Sequence, residues 1–185
     1  MSRDRIIWLD LELYSLEDPK VLECAVILTT CNALDEVARK NWVIGTSIQV
    51  IRQRVLTNPF HTQHSINNGL IQACHQSSVT YAQWQSELMA FLRRHCQSGC
   101  RLAGFSVHKD LEVLRSEAPA VHQFLSHQVI DISSLDIIQW GLPALERAAR
   151  FYTRSHGNHR AMSDNEAAID KLKWYQQWLR THCIA

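Results

Sequence analysis

Two acids interrupt the most apolar run near the start of the chain. In IIWLDLEL, residues 6 to 13, Asp10 and Glu12 stand among Ile6, Ile7, Trp8, Leu9, Leu11 and Leu13. The run reads as a buried strand, and strand side chains alternate faces, so the two carboxylates point the same way. A buried ionised carboxylate costs several kcal/mol unless it is paired or bound to a metal. Two on one face therefore call for positive charge brought to them.

Further acids fall where a fold could carry them to the same place. Asp110 lies in the first turn of a helix that follows the short strand RLAGF at 101–105. Asp164 opens the last helix, and Ala168, Leu172, Tyr175 and Leu179 continue from it as one stripe at helical spacing. That stripe must face the core, which puts Asp164 at the head of an inward face. Ser163 with Glu166 could also form a capping box there. His159 precedes Asp164 by five residues, in the preceding loop. A first-turn Asp alone ordinarily steadies a helix dipole. The combination carries the functional reading: D-x-E on the first strand, an Asp on a later helix, and H-x-x-x-x-D near the C-terminus.

The elements that must position these groups read coarsely as follows. Strands are expected at 5–13, about 21–29, about 42–52, 101–105 and 128–132. Helices are expected at 62–74, from Thr80 to about 95, at 107–117, from Ser133 through Trp140, after Pro143, and over about 161–181. Thr80 with Gln83 resembles a capping box, and Tyr81, Trp84, Leu88, Phe91 and Leu92 form a core stripe behind it. Three strands in succession, then strands alternating with helices, predict an α/β fold: a mixed sheet flanked by helices, in a single domain over residues 1–185.

Composition bounds the partners. The 185 residues suffice for one domain with a sizeable core, and 46% apolar with 20% charged residues is ordinary for a globular protein. No apolar run approaches the roughly 20 residues of a membrane span. The N-terminus enters a strand pattern directly, so no signal or transit peptide is expected. The six cysteines form no C-x-x-C pair and no disulfide framework, which suggests free thiols in a reducing compartment such as the cytoplasm. His95, Cys96, Cys100 and His108 fit no usual zinc spacing and read as a solvated helix end.

A net charge of +1 argues against a protein that coats long nucleic acid. The distribution is uneven. Residues 1–36 hold eight acids and three Lys/Arg, whereas residues 37–109 hold one acid, Glu87, and eight Lys/Arg. Arg147, Arg150, Arg154 and Arg160 follow with His156 and His159. The acidic first segment is expected to face basic surfaces from later ones.

On these residues the sequence resembles the oligoribonuclease family, within the wider group of DEDDh 3′–5′ exonucleases of ribonuclease H-like fold. The resemblance is carried by WLDLEL at 8–13 with Leu16, VLECA at 21–25, GFSVHKDLEVL at 104–114, VIDISSL at 129–135 and HRAMSDNEAAIDKL at 159–172. Its most specific part is His-x-Ala-Met-x-Asp, followed by the aromatic pair Trp174-Tyr175. It implies that Asp10, Glu12, Asp110 and Asp164 are the four metal-holding acids and His159 the general base. It also implies a homodimer and a short single-stranded RNA substrate.

Phosphodiester cleavage develops charge on oxygens that water stabilises poorly, and two divalent cations can activate the water and stabilise the leaving oxygen. Mg2+ or Mn2+ prefers carboxylate oxygens. Asp10 is expected to bridge the two ions, with Glu12 and Asp164 on the water-activating one and Asp110 on the other. An imidazole, titrating near about 6.5 when unperturbed, suits the base.

The substrate contacts depart from the family. Where its first motif continues Met-Thr-Gly-Leu, this chain has Leu13-Tyr14-Ser15-Leu16, and Tyr14 is bulky where the family brings a nucleotide close to the backbone. Leu13 and Leu16 are expected at the substrate, Leu16 beside the bases. Phe60 corresponds to a base-stacking aromatic, and His64 to a family His shifted by one place. Ser106 and Ser133 remain as substrate contacts, with Ser134 beside them. An Arg that helps hold the 5′ phosphate aligns with Gln128, so phosphate capture is expected to be weaker or to fall to another cation such as Arg154 or Arg160. Asp131 reads as structural. Three functions stay open: an exoribonuclease trimming short RNA; a related exonuclease on DNA or longer single strands; and an RNA-binding module without catalysis. All five catalytic positions are present, which weighs against the last.

Overall fold

The computed structural model describes residues 5–150 and 159–182, so Arg154, His156 and Cys183 lie outside the described residues. Five strands form one mixed sheet in the order β3-β2-β1-β4-β5. β1 (Arg5–Leu13), β2 (Val21–Thr30) and β3 (Glu36–Val43) run antiparallel, while β4 (Arg101–Gly104) and β5 (Val129–Asp131) add on the other side of β1 in parallel. β1 is therefore central. This is the helix-flanked mixed sheet that the sequence predicts.

The alternation of β1 divides the core. Ile7, Leu9 and Leu11 pack with Trp84, Leu88 and Leu92 of α3 (Tyr81–His95). Ile6 and Trp8 pack on the opposite face with Ala168 and Ile169 of α8 (Ala161–His182). Trp8 is fully buried, and its Nε1–H donates to Thr29 Oγ1 at 2.9 Å, so its one polar atom is satisfied. Asp10 and Glu12 continue the face of Ile6 and Trp8. The expected capping box forms on α3: Thr80 accepts from Gln83 N–H, and the Gln83 side chain accepts from Thr80 N–H. α4 (His108–Glu117) follows β4, α5 (Pro119–Phe124) follows α4, and α7 (Pro143–Arg150) starts at the expected proline.

The structure corrects several expected elements. The third strand is not at 42–52 but ends at Val43. β3 is an edge strand with mostly exposed side chains, so it lacks the apolar alternation that made residues 42–52 look extended. Beyond it the chain passes closely over Ser77, where a Cβ on Gly45 would lie 2.5 Å from the Ser77 carbonyl oxygen. Ser47 then caps a helical segment, α1 (Ile48–Val50), that runs on as a π-helical turn (Ile51–Val55) and buries Ile51 and Val55. The expected helix at 62–74 is two pieces, a π-helical turn (His61–Ser65) and α2 (Leu70–Gln76), separated at Gly69, whose φ of 79° no helix contains.

Asp131, not Ser133, caps α6 (Ile132–Ile138), its carboxylate accepting from Ser133 N–H. Ser163 lies inside α8 and Glu166 is bonded to Arg39, so the capping box expected there does not form. The inward stripe of α8 ends at buried Tyr175; Leu179 is exposed. Cys96 and Cys100 are core residues rather than a solvated helix end, because their thiols pack in the cluster under α3.

Candidate active site

The acids meet at the C-terminal end of β1. Ligand-capable oxygens of Asp10, Glu12 and Asp164 all lie within 4.8 Å of one another. Among the described residues no other three His, Cys, Asp or Glu side chains gather in this way. Strand alternation supplies the first two. Asp164 is delivered by the N-terminal turn of α8, and Asn165 beside it fixes the docking: its Nδ2–H donates to the Ala25 carbonyl at 3.0 Å, and Ala25 is the cross-strand partner of Asp10. Asp110, in the first turn of α4, accepts from the Leu11 backbone N–H at 3.0 Å, between the two β1 acids. Three of the expected four carboxylates thus meet at one point, and the fourth, Asp110, is tied to the strand that carries two of them.

Their protonation reflects the crowding. Burial, then the charges of Asp110, Glu12, Asp164 and Glu23, hold the Asp10 carboxyl well above its ordinary range. Glu12 is pushed up to about 8, first by burial, then by Asp164 and Glu23, with Arg160 offsetting part. Asp110 is pushed up to about 8 by burial, with hydrogen bonds from the backbone of Leu11 and its own N–H opposing and Asp131 adding to the rise. Hard dications fit such a set: only oxygen donors face the point, and positive charge is what their ionisation lacks.

A fifth carboxylate explains how the cluster is framed. Glu23, 1% exposed, is the cross-strand neighbour of Glu12. Arg160 grips it with two hydrogen bonds, Nε to Oε2 at 2.9 Å and Nη2 to Oε1 at 2.7 Å. Ala161 N–H and Asn41 Nδ2–H complete its partners. Arg160 also donates through Nη1 to the Asn68 carbonyl. Arg160, expected at the substrate phosphate, has its guanidinium engaged here by Glu23 and by the Asn68 backbone. The sequence did carry a signal for Glu23: it is the one acid inside VLECAVIL, the same anomaly that marks Asp10 and Glu12.

The remaining candidates fall into two groups. His159, exposed and with a φ of 54°, directly precedes Arg160; its ring centroid lies 5.1 Å from Phe60 and 4.6 Å from His64. Phe60 lines a cavity of about 730 Å³ with Glu12, Leu13 and Leu16, so the ring cluster and the acids share one opening. The loop above is pinned by buried His61, whose Nε2–H donates to the Tyr14 carbonyl at 2.8 Å. The Tyr14 ring packs against the cluster of Leu22, Val55, Leu70 and Cys74. Ser106 and Ser133 form a separate group. Ser106 N–H donates to Asp131 Oδ1 and to Ser133 Oγ, which makes Asp131 the structural acid expected of it. Neither serine lines the cavity of Glu12.

Gln128 is not at the site. It accepts from Arg101 Nε at 3.1 Å, and Arg101 pairs with Ile6 at the opposite end of β1. Four residues of strand, about 13 Å, separate that level from Asp10. Of the zinc candidates, His108 is bonded to Asp131 and stands apart from the core pair Cys96 and Cys100.

Two outcomes follow from these partners. Arg160→Ala leaves Glu23 buried without its cation and should lower stability by about 3–5 kcal/mol in urea denaturation; a loss below about 1 kcal/mol would show that Glu23 is neutral or solvated. Glu12 and Asp110 keep their protons in the folded chain up to about pH 8, whereas unfolded carboxyls release them near about pH 4. The folded state therefore binds more protons in between, and its stability falls as pH rises through that window. In EDTA the melting temperature should drop from about pH 5 to about pH 9, and Mn2+ should abolish the drop. Identical profiles with and without Mn2+ would contradict the ascribed role of the acids.

No family model matches the chain. Curated relatives match along nearly all of it. A probable oligoribonuclease of Dictyostelium discoideum is 28% identical over 180 residues, covering 93% of this chain and 88% of its own. Human mitochondrial oligoribonuclease is 27% identical over 177 residues, covering 93% and 72%. An oligoribonuclease of Coxiella burnetii is 30% identical over 186 residues, covering 96% of each. Among solved structures, the zinc-bound E. coli ExoI–ssDNA complex superposes with a TM-score of 0.64 at 14% identity over 98% of this chain. The chain spans 43% of that protein, so the likeness is one of fold. By its 30% identity over 96% of the Coxiella protein, the chain belongs to the oligoribonuclease family.

Proposed function

We propose that the protein is a 3′–5′ exoribonuclease that hydrolyses short single-stranded RNA to mononucleotides. The observation that carries this reading is the convergence of Asp10, Glu12 and Asp164, with Asp110 tethered to the same strand, beside a cavity wide enough for a nucleotide. Family membership supplies the substrate class.

Each residue then has a task. Two Mg2+ or Mn2+ ions, held by Asp10, Glu12, Asp164 and Asp110, would supply the positive charge that activates water and stabilises the departing oxygen. Leu16, 75% exposed, and Phe60 offer apolar surfaces between which a terminal base can stack. His159 sits on an exposed turn against Phe60 and His64 and would leave those rings to take the proton of the attacking water at a ring nitrogen. Leu13 completes the wall next to the carboxylates. Ser106 and Ser133 act on the substrate through Asp131 and the β4–α4 turn rather than from the cavity itself.

A homodimer is part of the proposal. Ile137, Ile138, Trp140 and Leu142 are exposed together at the end of α6, an apolar group suited to a second copy. Light scattering should return twice the 21.3 kDa chain mass, and a monomer at micromolar concentration would remove the dimer. Among the described residues no helix is long and apolar enough to cross a membrane. Among the described residues Cys24, Cys31, Cys74, Cys96 and Cys100 form no disulfide, which suits a reducing cytoplasm.

The decisive assay uses 5′-labelled RNAs of two to about ten nucleotides with Mg2+, compared with single-stranded DNA. Dinucleotides should be cleaved fastest. Faster removal of nucleotides from long RNA or from DNA would favour the broader exonuclease reading, and no cleavage with metal bound would favour a binding module. His159→Ala should keep its fold and metal affinity yet lose about 10²–10⁴-fold in turnover. Near-normal turnover in that variant would take His159 out of the mechanism.

A further inference from the structure

The cavity beside Glu12 has a wall to which the exonuclease reading gives no task. Arg54 and Glu17 line it together with Leu16 and Phe60. Arg54 is held in place: Nη2 donates to Asp18 Oδ2, and the guanidinium lies 5.7 Å from the centroid of the Tyr14 ring. That ring is itself anchored in the Leu22–Val55–Leu70–Cys74 cluster. Arg54 remains half exposed, and among the described residues its other N–H donors meet no protein acceptor. Glu17 is exposed and likewise makes no hydrogen bond or ion pair among the described residues.

A fixed guanidinium and a free carboxylate on one wall have a matching ligand. A nucleotide leaving a 3′ end has its one phosphate at the acids, so what lies along the rest of the cavity, by Leu16 and Phe60, is its base. Guanine presents O6 and N7 as adjacent acceptors, the pair that a guanidinium grips, and its N1–H and N2–H₂ are adjacent donors suited to a carboxylate. Adenine has a donor where guanine has O6. Cytosine has an N4 donor and no N7 acceptor, and uracil has a single ring N–H donor. The geometry points to Arg54 and Glu17 as the residues that select guanine as the 3′-terminal base, an inference that rests on the exonuclease reading above.

The test compares RNA dinucleotides that end in guanosine and in cytidine, with Mg2+, for the wild-type chain and for Arg54→Gln and Glu17→Gln. Wild-type kcat/KM should favour guanosine on the order of tenfold. Arg54→Gln should bring that ratio to within about twofold of unity, and Glu17→Gln should lower it. A wild-type ratio near one, or a ratio that survives Arg54→Gln, overturns the inference. Calorimetric titration with GMP and CMP reads the same preference without turnover. If the wild-type chain cleaves no RNA but binds GMP more tightly than CMP, and Arg54→Gln removes the difference, the base site stands and the exonuclease reading falls. Equal affinity for the two nucleotides overturns the base site whatever the cleavage result.

Discussion

Crowded carboxylates at the end of β1, Glu12 buried and Asp10 and Asp164 half-buried, repel one another, and the surrounding structure is arranged around that repulsion. Asp10 and Glu12 cannot turn away, because strand alternation fixes them on the face that α8 covers. Asp164 and Asp110 arrive from separate helices and add to the charge. Burial and mutual repulsion raise Asp10, Glu12 and Asp110 together, so the chain alone favours their neutral forms. A dication would reverse that balance, which is why the cluster is compatible with divalent metal binding.

The neighbouring Glu23 shows the contrast. It occupies the same face of the sheet, yet Arg160, Ala161 and Asn41 satisfy it fully. The Arg160–Glu23 pair locks the start of α8 onto β2, and Asn165 makes a second tie one turn later. Asp164 lies between those two ties. The same arginine also reaches the Asn68 carbonyl, and Asn68 in turn donates to the His159 carbonyl, so the turn that carries the proposed base is braced from the loop before α2. The positions of Asp164 and His159 are thus fixed by ties through Arg160, Glu23, Asn165 and Asn68.

Much of this was legible in the residues. β1 and α3 announce themselves through strong periodicity and, for α3, a capping box, and α8 through its inward stripe. The D-x-E anomaly in a buried run located the site. What escaped was of two physical kinds. β3 is a polar edge strand, and the β-branched residues after it obey a local cap at Ser47 rather than their extended propensity. Arg160 and Gln128 were judged by residue type along the chain, whereas their roles depend on tertiary partners: a buried glutamate in one case, the far end of a parallel sheet in the other. Arg54 and Glu17 carried no sequence signal, because a solvated arginine and a pocket arginine look alike until the loop folds over Glu12.

The most direct measurement is an anomalous difference map from a manganese-soaked crystal. The account predicts strong density ringed by the side chains of Asp10, Glu12 and Asp164, with Asp110 at its edge. Those carboxylates pointing apart with no anomalous density among them, in crystals holding Mn2+ well above micromolar, would contradict it.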